Sequence, residues 1–271
     1  MTAASDLHDL AVDIACEAGQ LAHRRRSEGV HVAATKTALA DIVTDADREV
    51  EALIRTRLSA ERPDDGFLGE ESGAERGTSG ITWVVDPIDG TVNYAYGIPS
   101  YAVSIAAVEG DPDPSAWTAL AGIVFNPSSG ELFHATRDAG AWLGAERLAV
   151  NAEPSPAGAL LATGFGYDPA THAPNLERIS RVMPIARDLR RIGAASLDLA
   201  FVAAGRLDGY FERGLNPWDH AAGALLVEEA GGRVGGAPHG RPGKRMTVAA
   251  GAVLYDAIVA QLGADARDED G

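Results

Sequence analysis

One run of nine residues, 83–91, constrains the fold of this chain more than any other stretch. Its sequence is Trp-Val-Val-Asp-Pro-Ile-Asp-Gly-Thr, and the apolar start with two valines predicts a buried strand. Because proline disfavours the helical conformation for the residue before it, Asp86 is expected to stay extended while Pro87 and Gly90 turn the chain. The run therefore predicts a strand that stops at Asp86, with the carboxylate of Asp89 at the same rim.

The two carboxylates of this run, Asp86 and Asp89, raise each other's pKa if they lie close together, unless a cation sits between them. A turn rich in oxygen atoms suits a hard divalent ion such as Mg²⁺, and Thr91 supplies a hydroxyl beside it. If Gly90 and Thr91 open a short helix, their backbone N–H groups point at an anion that the metal holds. The alternative is an ordinary pair of turns, Asp-Pro followed by Asp-Gly, and the run alone leaves both interpretations open.

The chain is strongly acidic, with 39 acidic and 23 basic side chains among 271 residues and a formal net charge of −16. Its only lysines are Lys36 and Lys244. Such a surface repels nucleic acid and anionic membranes, so neither is expected as a partner. It also repels phosphate, and a protein of this charge with a phosphorylated substrate therefore needs bound cations to reverse the local potential.

Length and composition fit a globular protein of one large domain or two closely packed ones. Hydrophobic residues make up 46% of the chain and charged residues 23%, which excludes a disordered chain. Cys16 is the only cysteine, so we expect a reducing compartment and neither a disulfide framework nor a thiolate metal site. The first residues lack the pattern of a signal peptide and no segment has transmembrane length, so a cytoplasmic location is expected.

The residues before the run predict an amphipathic first helix that ends near residues 24–26, a second helix and a second acidic turn. A loop that contains Lys36 leads into an amphipathic helix over residues 44–58. Thr44 and Asp47 at its start have the spacing of a capping box, which is the structural alternative to a role for Asp47 in chemistry. Glu70 follows a short apolar step; paired glutamates usually belong to a solvated loop, but a neighbouring strand end would bring Glu70 to the metal-like turn.

After the run, short apolar stretches over residues 100–135 predict an antiparallel sheet that includes a hairpin. Residues 151–158 contain two prolines and are the best candidate boundary, which predicts domains at residues 1–150 and 151–271. The second half then alternates strands and helices, the pattern of an α/β unit.

Two turns of the second half carry candidate functional residues. Residues 193–195 precede Ser196 at a helix start, where a turn that faces a ligand and a plain helix cap by Ser196 fit equally well. Asp219 opens the next helix, and the N-cap is its structural alternative. His220 lacks partners at ligand spacing and is expected to be packed or solvated.

Three motifs resemble those of a known family: Gly-Glu-Glu-Ser at residues 69–72, Trp-Val-Val-Asp-Pro-Ile-Asp-Gly-Thr-Val-Asn at 83–93 and Trp-Asp-His-Ala-Ala-Gly at 218–223. Together they closely resemble the inositol monophosphatase family of Mg²⁺-dependent, lithium-sensitive phosphatases, and the resemblance covers nearly the whole chain. It implies a mixed α and β fold, the layered αβαβα sandwich, with a large antiparallel sheet and a smaller, mostly parallel sheet. The active site would lie where the two halves meet.

The resemblance also implies roles for individual residues. Mg²⁺ ions, two or three per site, would be bound by Glu70, Asp86, Asp89, Asp219 and the backbone carbonyl of Ile88. The implied catalytic residues are Glu70 and Thr91, which orient and help to deprotonate a water that the metal activates, and Asp47, which fixes the threonine hydroxyl. The residues implied to bind substrate are Asp89, Gly90, Thr91, Gly193, Ala194, Ala195, Glu212 and Asp219.

Inositol 1-phosphate is the expected substrate, because an acceptor at Glu212 suits a ring rich in hydroxyls and would repel a second phosphate. Histidinol phosphate is the main alternative, followed by fructose bisphosphate and 3′-phosphoadenosine compounds, which other family members hydrolyse. Arg213 and Pro217 are not diagnostic of inositol specificity. A non-catalytic metal-binding regulatory protein is the alternative outside enzymes, and a homodimer is implied by the resemblance alone.

Overall fold

A computed structural model describes residues 4–29, 32–35, 42–110, 113, 116–166, 168–236 and 240–263. The loop around Lys36 lies outside these residues. The helices of the described part are Ala4–Glu28 (α1), Asp45–Glu61 (α2), Thr91–Tyr96 (α3), His172–Val182 (α4), Ala195–Ala203 (α5), Pro217–Glu229 (α6) and Ala252–Leu262 (α7). Single turns of 3₁₀ helix at Pro169–Thr171 and Met183–Ile185 flank α4.

A sheet of eight strands fills most of the first half of the chain. It follows a two-stranded antiparallel pair, and the strands of both are Val32–Thr35 (β1), Ile42–Thr44 (β2), Gly66–Gly69 (β3), Gly73–Glu75 (β4), Ile81–Asp89 (β5), Ala102–Glu109 (β6), Thr118–Asn126 (β7), Glu131–Thr136 (β8), Gly140–Leu143 (β9) and Glu146–Arg147 (β10). The order in the large sheet is β10-β9-β8-β7-β6-β5-β3-β4. Its pairs are antiparallel apart from β3 with β5, which confirms the predicted meander and hairpin.

A second sheet has five strands in the order β12-β11-β13-β15-β14. These strands are Ala159–Thr163 (β11), Ala186–Arg190 (β12), Gly209–Glu212 (β13), Arg233–Gly235 (β14) and Thr247–Ala250 (β15). β11 is parallel to both of its neighbours, whereas β15 is antiparallel to both of its own. The sheet is therefore mixed rather than mostly parallel, because the connection from β14 to β15 is too short for a crossover helix.

The layers follow from alternation along β5, whose nine residues are all buried. Trp83 and Val85 pack against α1 and α2, whereas Val84 packs into a core with α5 and α6. That second core also contains residues of the small sheet, and a third core lies between the small sheet and α4 and α7. The result is the predicted αβαβα sandwich. The division into domains at residues 1–150 and 151–271 stays a prediction.

Within the described ranges, no helix combines the length and the apolar character that crossing a membrane requires.

Candidate active site

The sequence predicted that the strand stops at Asp86, but β5 continues to Asp89. Its pairing with β6 is interrupted between these two residues, where Pro87 supplies no N–H to the ladder. Within the interruption, the Asp86 carboxylate accepts a hydrogen bond of 3.1 Å from the backbone N–H of Ile88. The strand is thus distorted at the point where it presents its two acidic side chains.

Both aspartates line a cavity of about 380 Å³ that residues of both halves of the chain enclose. Every residue for which the resemblance implies a role lines this cavity, except Asp47, which lies behind it. The lining members are Glu70, Asp86, Ile88, Asp89, Gly90, Thr91, Gly193, Ala194, Ala195, Glu212 and Asp219. The structure therefore brings the predicted site residues together, while their individual roles stay predictions.

Glu70 reaches the cavity because β3 runs parallel to β5. Gly69 pairs with Val85, and the backbone N–H of Glu70 donates to the carbonyl oxygen of Val85 over 3.2 Å. Glu70 therefore leaves its strand beside Asp86, since the carboxyl ends of neighbouring parallel strands meet at one edge of a sheet.

Asp219 is the third residue of α6 and not its N-cap, so the structural alternative for this residue is wrong. The N-cap is Asn216, whose backbone N–H donates to Oδ2 of Asp219 over 2.7 Å. This is the reciprocal bond of a capping box, in which the acid in the first turn reaches back to the cap. Helix geometry thus fixes the orientation of a carboxylate that lines the cavity.

The negative charges of the carboxylates that line the cavity repel one another. Burial raises the pKa of Asp86 well above its usual range, and the negative charges of Glu70, Asp89 and Asp219 raise it further. Burial likewise raises the pKa of Asp219, followed by the charges of Asp89 and Glu70. Asp86 is only 2% exposed, so water relieves little of this repulsion.

Asp47 takes part in the capping box that was its structural alternative, and it also contacts Thr91, while its catalytic role stays a prediction. Its Oδ2 accepts a hydrogen bond of 2.8 Å from the backbone N–H of Thr44, within the capping box that begins α2. Its Oδ1 lies 3.3 Å from Oγ1 of Thr91, which is also 3.1 Å from the carbonyl oxygen of Ile88. Burial raises the pKa of Asp47 to about 6. A hydroxyl has one proton to donate to these two acceptors, so its lone pairs can accept a hydrogen bond from a water.

Ser196 is a residue whose part in the site the sequence did not reveal. It is the second residue of α5 and not a cap, and both its backbone N–H (2.7 Å) and its hydroxyl donate to Oδ2 of Asp89. Oδ1 of Asp89 accepts the N–H of Ala195 over 3.3 Å. Asp89 therefore caps α5 from a distant segment, satisfying N–H groups that have no partner within the helix.

Glu212, at the end of β13, is held by a tyrosine on the same strand. The hydroxyl of Tyr210 donates to its Oε2 over 2.6 Å. Burial raises the pKa of Glu212 to about 7, while this hydrogen bond and the charge of Arg191 act to lower it. Gly164 leaves the space that the carboxylate fills, since a Cβ there would overlap it.

Two further ionisable residues, Arg191 in the cavity lining and Asp198 in α5, were not identified as functional candidates. Arg191 lines the cavity and lies 5.3 Å over the ring of Phe165. Burial raises the pKa of Asp89, and the charge of Arg191 offsets part of this rise. Asp198 is 1% exposed in α5, and burial followed by the charge of Glu212 raises its pKa well above the usual range. An acid inside an otherwise apolar helix was the available signal.

The donor set fits a hard cation by its chemistry. The candidate ligands are four carboxylates and one backbone carbonyl, all oxygen donors of the kind that Mg²⁺ prefers. Among the residues that the structure describes, no three carboxylate, imidazole or thiol groups are already gathered as ligands of one ion. The fit therefore rests on the oxygen donors and on the repulsion between buried carboxylates, which a bound cation would relieve.

Comparisons with known proteins agree with this architecture. A sequence model described as inositol monophosphatase family matches residues 4–268. The chain belongs to the inositol monophosphatase family. An inositol-1-monophosphatase of Mycobacterium bovis is 42% identical over 246 residues, covering 84% of this chain and 83% of the relative. A protein of Xylella fastidiosa named Nus factor SuhB is 43% identical over 216 residues, with 79% and 75% covered.

Solved structures show the same fold. The extragenic suppressor protein suhB from Bartonella henselae superimposes with a TM-score of 0.87 at 36% identity, over 96% of this chain and 99% of that one. Mycobacterium tuberculosis SuhB gives a TM-score of 0.80 at 39% identity, over 97% of each chain. The predicted family and fold are therefore confirmed, and family membership supports a phosphatase of the hydrolase class.

Proposed function

We propose that this chain is a Mg²⁺-dependent phosphatase that hydrolyses a small phosphate monoester, with inositol 1-phosphate as the preferred substrate. The observation that carries the proposal is that Glu70, Asp86, Asp89 and Asp219 line one cavity together with Thr91. The name of the Mycobacterium bovis relative, inositol-1-monophosphatase, supports the choice of substrate.

Glu70, Asp86, Asp89, Asp219 and the carbonyl oxygen of Ile88 are the groups that would hold Mg²⁺. When bound, the ions would supply the positive charge that an acidic protein needs to attract a phosphate, and they would make water a stronger nucleophile near neutral pH. The protein contributes by holding its carboxylates in place, two of them through the helix starts of α5 and α6. Side chains fixed in this way need little reorganisation when the ligands bind.

The hydroxyl of Thr91 positions the attacking water in this proposal. Oδ2 of Asp47 is engaged by Thr44, so Oδ1 remains directed at Thr91. The threonine proton is donated to Asp47 or to the carbonyl of Ile88, and the oxygen then accepts a hydrogen bond from the water. Glu70, which lines the same cavity, accepts the proton that the water loses during attack.

Substrate recognition is assigned to further groups that line the cavity. The backbone N–H groups of Gly90 and Thr91 would bind phosphate oxygens. Glu212 would accept hydrogen bonds from the hydroxyls of the substrate, with its orientation fixed by the bond from Tyr210. The turn at residues 193–195 would lie against the ring, as the lining of the cavity supports.

The first test is phosphate release from inositol 1-phosphate, histidinol phosphate, fructose 1,6-bisphosphate and a 3′,5′-bisphosphate nucleotide, with Mg²⁺ present or chelated. We expect release that depends on Mg²⁺ and is fastest with inositol 1-phosphate. The Asp89→Asn variant should lose turnover while its circular dichroism stays unchanged. Asp188→Asn, an exposed aspartate away from the cavity, is the matched control.

The outcomes separate the parts of the proposal. Preference for another monoester would retain the site and reject the substrate. A near-normal rate for Asp89→Asn would reject the metal-ligand assignment. Binding of Mg²⁺ without release of phosphate from any compound would favour the non-catalytic regulatory protein instead.

Family membership also leads us to propose a homodimer that Li⁺ inhibits. Sedimentation equilibrium would show twice the chain mass of 28.1 kDa. A monomer at micromolar concentration would reject the dimer, and activity unaffected by Li⁺ would reject the inhibition.

A further inference from the structure

A second cavity, of about 300 Å³, lies beside the active-site cavity. Three of its nine lining residues, Arg178, Arg213 and Lys244, are positively charged, and none is acidic. In the whole chain only 23 of 271 residues are lysine or arginine, and acidic residues outnumber them. All charged residues of the lining are therefore positive, whereas the net charge of the protein is negative, and such a lining is suited to an anion.

Arg178 gives this cavity a fixed cationic wall. It projects from α4 and is 7% exposed, and its guanidinium donates to Oδ1 of Asn175 over 3.1 Å. A guanidinium presents its N–H donors in a planar fork that matches two oxygens of a phosphate. Burial and the contact with Asn175 restrict the motion of Arg178, so this side chain loses little conformational freedom when a ligand binds beside it.

The other two cations, Arg213 and Lys244, lie on two segments that a backbone hydrogen bond connects. The backbone N–H of Gly214, next to Arg213, donates to the carbonyl oxygen of Lys244 over 2.8 Å. Arg213, Gly214 and Gly166 line both cavities. The two cavities are therefore adjacent and share part of their walls.

We propose that the second cavity is a phosphate subsite, which binds a second phosphate group of a substrate whose first phosphate lies among the carboxylates. The placement of the first phosphate rests on the proposed function. Glu212 alone would repel a second phosphate, but Arg213 follows it in the chain and lines both cavities. Arg213 is not diagnostic of inositol specificity, and this proposal gives it a role in substrate choice.

The Lys244→Gln variant tests the proposal, because this side chain is exposed and its replacement leaves the core intact. The test compares kcat/KM for inositol 1-phosphate and inositol 1,4-bisphosphate. We expect the variant to lose about tenfold with the bisphosphate, the effect of one hydrogen bond to a charged group, and to change little with the monophosphate. Arg245→Gln removes the same charge from an exposed neighbour that does not line the cavity, and it should alter neither value.

Equal losses with both substrates, or equal losses in both variants, would overturn the binding of a substrate's second phosphate in this cavity. Binding of inorganic phosphate to metal-free protein, measured by calorimetry in chelator, distinguishes the source of the phosphate. Binding that Lys244→Gln weakens, without any discrimination between the two substrates, would assign the cavity to free phosphate and overturn the substrate assignment.

The same calorimetry keeps the two proposals separate. If no phosphate ester is hydrolysed in Mg²⁺, the proposed function fails, and so does the bisphosphate assignment that rests on it. Phosphate binding that is sensitive to Lys244→Gln but not to Arg245→Gln would still support a phosphate subsite. Absence of such binding would overturn it.

Discussion

Asp89 is both a proposed metal ligand and the residue that caps the start of α5. Burial raises its pKa, while the hydrogen bonds from Ser196 and Ala195 and the charge of Arg191 lower it. These donors favour the ionised carboxylate, which is the form that binds a cation. The conformation of Asp89 is thus set by the protein itself, before any ion arrives.

Ser196→Ala tests this arrangement, because it removes one of the donors to Asp89 and adds no bulk. We expect the Mg²⁺ concentration for half-maximal activity to rise about tenfold, as for the loss of one hydrogen bond to a charged group. The increase in melting temperature that Mg²⁺ causes should shrink in parallel, which gives a measurement independent of turnover. Ser129→Ala, whose hydroxyl bonds to Glu131 at the surface, should leave both unchanged. Unaltered Mg²⁺ dependence in Ser196→Ala would contradict the role.

Thr91 provides a second test at the residue scale. Thr91→Ala removes the hydroxyl that positions the water, so kcat should fall about a hundredfold or more while KM changes little. Thr91→Ser keeps the hydroxyl and should retain most of the rate. Steady-state kinetics with saturating Mg²⁺ measures both, and similar losses in the two variants would show that the methyl group, not the hydroxyl, matters.

At the scale of elements, the turn between β5 and α3 connects the two halves of the chain. Gly90 has φ of 91°, a conformation that glycine adopts without strain. A Cβ there would lie 2.9 Å from the carbonyl oxygen of Ser100 and 3.1 Å from Cβ of Ala194. In the first turn of α3, the Asn93 amide donates to the carbonyl oxygen of Ile192 over 2.8 Å.

Gly90→Ala should therefore lower the free energy of unfolding by about 2 kcal/mol or more, since backbone strain and a close contact act together. Gly130→Ala separates these effects, because Gly130 has φ of 73° but no atom lies within 4 Å of the position that an added methyl group would take. We expect a loss of only about 1 kcal/mol there, from backbone strain alone. Urea unfolding followed by circular dichroism gives both values. Equal losses would show that the contact with Ser100 and Ala194 relaxes at no cost.

Elements that depend on local sequence could be predicted, whereas contacts between distant elements could not. The hairpin of β7 and β8, the helix that begins after Gly90 and the capping box of Asp47 follow from residues a few positions apart. The partnership of Asp89 with Ser196 joins positions 107 residues apart, and nothing near Ser196 distinguishes it from a helix cap. The direction of β15 likewise depends on the tertiary arrangement of the small sheet.

For the whole molecule, the raised pKa values predict how stability depends on pH in the absence of metal. The pKa of Glu212 is about 7 and that of Asp47 about 6, and burial also raises the pKa of Asp86, Asp198 and Asp219. A carboxyl group with a raised pKa binds its proton more tightly in the folded state than in the unfolded state. Stability should therefore increase as the pH falls from about 7 towards the usual carboxyl range near 4.5.

We expect the melting temperature in chelator to rise between pH 8 and pH 5. His220 opposes the trend below pH 6.5, since burial lowers its pKa to about 4, and burial lowers the pKa of His134 as well. These two groups oppose six carboxyl groups, because burial also raises the pKa of Asp89. Saturating Mg²⁺ should raise the melting temperature most at pH 8, where the carboxylates are ionised. Calorimetric scans at each pH measure both effects. A melting temperature in chelator that falls steadily as the pH is lowered from 8 to 5 would contradict the prediction.

The bond between Asp89 and α5 also fixes when the site can form during synthesis of the chain. A ribosome makes Asp89 before Ser196, and the two are 107 residues apart. The acidic turn consequently leaves the ribosome long before the helix that orients it. We expect a nascent chain that ends before α5 to be inactive, so that activity arises late in translation, when the second half docks onto the first.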